Sequence, residues 1–448
     1  MADPAYALNP ILESDIESSI AARQSGRRAL WVAFIGFFVD MFDAYLPVVV
    51  LGPAMAYFQP PTLSPALQST LFYVVFALSL VGRPVGAAVF GHYSDKLGRR
   101  KVTLISMAGF AVVTFLIGLL PGYETWGFAS VGLLIFLRFV DGVFLGGEYT
   151  GANPLAMEYA PKDQRGIWGA FIHTGFPASM ALMSLITLAL LRLAPGGSPH
   201  SAYVTWGWRV PFFLGGLFGC GVFLYCLLRV PESKVWAKAE RAKSPLGELW
   251  RGDNPRILGQ VFLVMSGAWF TLNAVTSILP GVLLTVRHVD SVTVTNAQLI
   301  ENLVMVFLLV PFGMLGQMIG RRTVLWMIGL AGCTVGPIFY YVLVRSGYRN
   351  TVELIVLVTL INLCAMPVWA IITAYINERF STGVRASGYG LGYSLATIIP
   401  AFSSFYMLAL KRLGMQYPYT EVAIFALGGL LLMIGALSGP ETNHIDIS

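Results

Sequence analysis

Twelve apolar stretches of roughly 20 or more residues recur along this chain, each long enough to cross a hydrocarbon core of about 30 Å as a helix. They fall at 29–57, 67–92, 102–121, 127–158, 166–193, 207–229, 257–286, 298–319, 323–345, 352–380, 384–411 and 419–438. Backbone amides in lipid must be bonded internally, and these stretches lack the alternation of barrel strands, so an all-α membrane protein is predicted. Composition agrees: 56% of the 448 residues are hydrophobic and 12% charged, where a soluble domain carries about a quarter charged residues.

Charge position sets the predicted topology. Residues 1–28 contain Asp3, Glu13, Asp15 and Glu17 and no apolar core before a small-residue cleavage site, so no signal peptide is expected. With the N-terminus placed in the cytoplasm, 20 of the 29 Lys and Arg fall on the inside and seven on the outside, while Arg83 and Arg138 lie within helices. Basic loops resist translocation, so both termini are expected to be cytoplasmic, in a bacterial inner membrane. The net charge of +6 sits in membrane-flanking loops, which argues against a nucleic-acid partner. Cys220, Cys226, Cys333 and Cys364 lack metal-type spacing and are expected to be buried free thiols, with no metal site.

Residues 91–102, GHYSDKLGRRKV, carry five charged side chains and are predicted as a cytoplasmic loop. They align without gaps on GMLGQMIGRRTV at 313–324, which sets Gly91 on Gly313, Gly98 on Gly320, and Arg99 and Arg100 on Arg321 and Arg322 at an offset of 222. EYAPKDQRG at 158–166 matches ERFSTGVRA at 378–386, with Glu158 on Glu378 and Arg165 on Arg385 at an offset of 220. Two near-equal offsets indicate one six-helix unit used twice. The predicted organisation is an N-terminal segment (1–28), a six-helix bundle (29–229), a polar linker (230–256), a second bundle (257–438) and a tail (439–448).

The Gly-x-x-x-Asp-x-x-Gly-Arg-Arg-Lys segment resembles the signature loop of the major facilitator superfamily, whose fold is built from two such six-helix halves. RFVDGVFLGGEYTGANPLAMEYAPKDQRG at 138–166 is similar to a pattern of its metabolite:proton symporters and their sialate and aromatic-acid relatives, and Pro-Glu-Ser at 231–233 resembles its sugar-porter and organic-acid branches. Met41 stands where the D-G-x-D motif of aromatic-acid and sialate symporters has glycine. The resemblance implies a latch between the halves, to which Gly91, Asp95, Gly98, Arg99, Arg100, Glu158, Arg165, Glu378 and Arg385 are assigned. A carboxylate at Asp95 is placed to meet a helix N-terminus or a guanidinium, and Gln317 in the second copy predicts an asymmetric latch. For Arg100 a headgroup anchor and a specific contact are both open.

Ionisable residues within the apolar stretches point to the chemistry. Asp40 and Asp43 lie three residues apart on the first stretch, roughly 16 and 21 Å along it from Ala29. Arg138 has a similar depth on the fourth, and Asp141 and Glu148 share its face within an arc of roughly 80°. Each such charge costs at least about 2.5–3.5 kcal/mol at a helix centre, so each should face a cavity or a partner. One reading is a static pair of Arg138 with Asp40 or Asp141. The other is proton coupling, in which separating a carboxylate from an arginine loads or discharges a proton. The resemblance favours the second, since the helix 4 arginine is linked to coupling in that family.

Arg83 is read as pairing with an acid of the fourth or eleventh stretch, or as binding a substrate carboxylate. His173 is read as a hydrogen-bonded structural histidine ahead of a titrating one. The second half shows few buried charges; Asn273, Asn362, Trp269 and Trp369 suggest a substrate-shaping half opposite a proton-handling one. An enzyme is disfavoured, because no H-E-x-x-H and no convergent nucleophile set occurs, and an ATP-driven pump lacks its phosphate loop. The expectation is proton-coupled uptake of a small organic acid by a lipid-embedded monomer, without a cofactor beyond the proton itself. Drug/proton export and uniport of a sugar-like solute are the alternatives.

Overall fold

The computed structural model describes residues 10–51, 54–60, 62–63, 65–194, 200–238 and 244–447; the readings made of residues 1–9 and of linker residues 239–243 lie outside them. Among the described residues, eleven helices are long and apolar enough to span a membrane, and one bent pair makes a twelfth span. They are α1 (Arg23–Leu51), α2 (Val74–Leu97), α3 (Arg99–Gly118), α4 (Phe128–Tyr159), α5 (Arg165–Leu190) and α6 (Tyr203–Arg229), then α7 (Asn254–Thr285), α8 (Ser291–Ile319), α9 (Arg321–Arg345), α10 (Thr351–Arg379), α11 (Thr382–Ala401 with Phe405–Arg412) and α12 (Tyr419–Leu437). Two pseudo-symmetric six-helix bundles, α1–α6 and α7–α12, form the molecule. Side chains such as Phe307, Leu228 and Met318 are exposed on its outside, as a lipid-facing surface requires.

The charged segment at 91–102 is not a loop. Helical order in α2 continues to Leu97 and α3 begins at Arg99, so a single residue, Gly98, turns the chain. Its φ of 113° is open to glycine and strained for other residues, and Gly320 repeats the elbow between α8 and α9 at 104°. All the ends that meet at these elbows lie on one side of the molecule, called here the basic face.

The eleventh span departs from the straight helix expected at 384–411: its two parts meet at 46°. Pro400 supplies no backbone donor, which weakens the helix at this point. Its own carbonyl accepts from Ser403 Oγ at 2.6 Å and from Asn273 Nδ2 at 3.2 Å. Asn273 therefore braces the break in α11. Cys226 and Cys364 are buried as expected, whereas Cys220 is exposed.

Candidate functional site

The polar face of α4 is turned onto α1. Arg138 Nη2 lies 3.3 Å from Asp43 Oδ2, its Nη1 donates to the Asp43 carbonyl at 3.3 Å, and Asp141 is 3.5 Å away on the same helix. Thr114 of α3 adds a hydroxyl to Asp43 at 2.9 Å. Phe212 of α6 closes the site with its ring 5.4 Å from the guanidinium. The partner of Arg138 is thus Asp43 together with Asp141, and not Asp40.

Asp40 is taken by Arg83, whose Nη2 donates to Oδ1 at 2.8 Å. The expected partner of Arg83 was an acid of α4 or α11, or a substrate carboxylate, and not an acid of α1. The correction has a simple cause: α2 and α4 approach so closely that a Cβ on Gly146 would lie 2.2 Å from the Arg83 carbonyl oxygen, and the long side chain reaches past α4 to α1. Asp40, Asp43, Arg83, Arg138, Asp141 and Glu148 are all buried. Two arginines therefore face four carboxyl groups in the core of one half.

Between the halves lies a band of aromatic rings. Trp269 packs edge-on against Trp369 at 4.8 Å and donates its Nε1 to the Tyr393 carbonyl at 3.0 Å. Tyr149 of α4 meets Tyr393 of α11 at 4.9 Å, and Asn153 donates to the Tyr389 hydroxyl at 2.7 Å. His173 stacks on Trp369 at 5.9 Å; its Nδ1 is 3.2 Å from the Gly169 carbonyl and 3.1 Å from Thr373 Oγ1. Trp269, Trp369 and His173 are thus brought together. Asn362 is not: its amide donates to Val358 within its own helix at 3.1 Å.

The basic face carries the second charged cluster. Asp95 accepts from Arg99 Nη1 at 2.8 Å and reaches across to the start of α11, where it takes Ala386 N at 3.2 Å, Ser387 N at 2.9 Å and Ser387 Oγ at 2.6 Å. Helix N-termini favour an anion in this position. Gly91 permits the approach, since a Cβ on it would lie 2.9 Å from the Ser387 Cα. Glu158 then bridges Arg99 at 3.3 Å and Arg385 at 2.9 Å, which joins the two bundles a second time.

The pseudo-symmetric copy is built alike with one charge fewer. Gln317 accepts from Arg321 Nη2 at 2.8 Å and from Gly166 N at 3.1 Å, and Glu378 pairs with Arg321 at 3.1 Å. Arg165 reaches the chain's tail instead, with Nη1 donating to the Ile445 carbonyl at 2.8 Å and Nη2 lying 3.4 Å from Asp446. Arg385 also meets the tail, at the Ile447 carbonyl, 3.2 Å away. Arg100 makes a specific contact, donating to the Leu227 carbonyl at 2.7 Å.

Two further acids cap helices at the basic face, a role the sequence had not assigned to them. Glu232 accepts from the backbone of Arg99 at 3.0 Å and Arg100 at 3.1 Å, and Glu441 does the same for Arg321 at 2.7 Å and Arg322 at 3.1 Å. Their neighbours repeat too: Ser233 donates to Glu158, and Thr442 to Glu378 at 2.6 Å. The signal was Pro-Glu-Ser at 231–233 recurring as Pro-Glu-Thr at 440–442. Glu301 on α8 and Glu421 on α12 are also buried, so the second half is not poor in buried acids.

Comparison with known proteins gives this geometry a family. The family model of the Major Facilitator Superfamily matches residues 33–301. The inner membrane metabolite transport protein YhjE of Escherichia coli is 29% identical over 96% of this chain and 98% of its own length. Alpha-ketoglutarate permease of the same organism is 29% identical over 87% of this chain and 89% of its own. The solved structure of the proton:xylose symporter XylE superimposes with a TM-score of 0.70 over 93% of this chain and 96% of that one, at 18% identity, a likeness of fold. Among the described residues, no group of His, Cys, Asp and Glu is arranged to hold a metal ion. The chain belongs to the Major Facilitator Superfamily, as an integral multi-pass membrane transporter and not an enzyme.

Proposed function

We propose that this protein is a proton-coupled symporter that takes up a small organic acid by alternating access of its two halves. The observation that carries the reading is the pairing of two buried arginines with two acids of α1, Arg83 with Asp40 at 2.8 Å and Arg138 with Asp43 at 3.3 Å. Such pairs hold charge in a low-dielectric core only while they stay together; a substrate carboxylate that competes for one arginine frees its acid to accept a proton. The name of the alpha-ketoglutarate permease supports an organic acid as the cargo. The aromatic band of Trp269, Trp369 and Tyr393 supplies the apolar wall of the proposed substrate site. The basic face is assigned to the cytoplasm, with both termini inside.

The test is uptake into proteoliposomes across a panel of organic acids and sugars, with and without an imposed proton gradient. Wild type is expected to concentrate at least one acid only when the gradient is present, and Asp43→Asn to lose that accumulation. Should no transported compound ever accumulate with the gradient, symport is wrong. Unchanged gradient dependence in both Asp40→Asn and Asp43→Asn would remove α1 from the coupling scheme.

A further inference from the structure

Four carboxyl groups and two guanidinium groups share the core of the first half, so ionising all four acids would leave two uncompensated negative charges in a region closed to water. The geometry distributes the arginines unequally. Asp40 has Arg83, and Asp43 and Asp141 both lie within 3.5 Å of Arg138. Glu148 has neither: among the described residues no cation lies within ion-pair distance of it, and neither of its carboxyl oxygens has a hydrogen-bond partner, although the residue is wholly buried.

Its position is also fixed. Glu148 sits one turn from Phe144 on α4 with its carboxyl pressed against α1, where a Cβ on Gly36 would fall 2.0 Å from Oε1 and 3.2 Å from the Met107 methyl of α3. The charged and titratable groups that act on it or feel it are Asp40 of α1, Arg83 of α2, Tyr149 of its own helix, Tyr389 of α11 and Cys226 of α6. Asp40 opposes a second negative charge and Arg83 is already engaged with it. An ionised carboxylate without a partner in such a place is far more costly than the neutral acid.

We propose that Glu148 is the carboxyl that carries the proton in this latched state, and the one that must give it up for the cycle to turn. This rests on the proton-coupled reading above and goes beyond it by choosing among the acids. Asp40 and Asp43 stay paired with their arginines in this latched state and take part only once a substrate carboxylate competes for an arginine. Glu148 is loaded while the latch is closed, and its proton leaves when opening of the halves brings water or a cation to it. The step is a simple proton transfer from the carboxyl oxygen to water, with no bond to carbon made or broken.

Infrared difference spectroscopy of the purified full-length protein in lipid vesicles, titrated from acid to alkaline buffer, tests this with the proton as the only ligand. The wild type is expected to show more than one protonated-carboxyl component that titrates away, since Glu148, Asp141 and Glu421 are all buried with oxygens that lack hydrogen-bond partners. One component is assigned to Glu148. Glu148→Gln should remove one component, which Asp141→Asn and Glu421→Gln should each leave in place. Glu148→Asp, which keeps the acid on a shorter stem, should shift it. The proposal is overturned if Glu148→Gln removes no component, if the component it removes also disappears with Asp141→Asn or Glu421→Gln, if Glu148→Asp leaves that component unmoved, or if the wild type shows none. A titrating Glu148 in a protein that never accumulates substrate against a gradient would sink the symport reading and leave this proton site standing; accumulation without a Glu148 component would do the reverse.

Discussion

Arg83 and Asp40 show what a single pair is worth in this core. Both are buried and 2.8 Å apart, so removing one leaves the other as an uncompensated charge, at a cost of about 3–5 kcal/mol. Arg83→Ala should therefore lower thermal stability strongly in detergent, and the Arg83→Ala, Asp40→Ala double variant should recover part of the loss. Equal melting of the single and double variants would show that the pair is not coupled. At this scale the sequence was informative about kind and depth. Asp40, Asp43, Arg138 and Glu148 declared themselves by being ionisable within apolar stretches. Partner choice was hidden, because three-residue spacing puts Asp40 and Asp43 on one face and only the seating of α2 against α4 decides which arginine reaches which acid.

The elbows between α2 and α3 and between α8 and α9 are the elements on which the basic face is built. Each couples a left-handed glycine to an acid that caps the following helix: Gly98 with Glu232, and Gly320 with Glu441. Losing such a cap costs about 0.5–2 kcal/mol, so Glu232→Ala and Glu441→Ala should each destabilise modestly and speed amide exchange in the first turn of α3 or α9. Gly98→Ala should be worse than either, since its Cβ would lie 2.2 Å from the Glu232 carboxylate as well as demanding a φ of 113°. Exchange that is unaltered in Glu441→Ala would contradict the capping role. The glycines and arginines of these elbows were legible from the repeat. Their caps were not, because each lies far along the chain, beyond the sixth or the twelfth helix, and a Pro-Glu pair after a helix does not reveal which N-terminus its carboxylate meets. The 46° break in α11 was missed for another reason: a proline within an apolar run does not reveal whether the helix bends or stops.

For the molecule as a whole, the twelve spans and their two-fold repeat followed from hydropathy and internal alignment, since length in lipid leaves the backbone few choices. The closing of the basic face did not follow, because it depends on contacts between halves. Asp95 with Ser387 and Glu158 with Arg385 are such contacts, and they must break if the halves are to part there. Distances between spin labels at Leu97 and Met318, exposed positions at the basic ends of α2 and α8, measure that parting directly once the native cysteines are replaced. A narrow distribution is expected for the otherwise intact protein, and a second, longer population when Asp95→Asn and Glu158→Gln are combined. A distribution that stays single and unmoved in that double variant would contradict transport by opening of the two halves at this face.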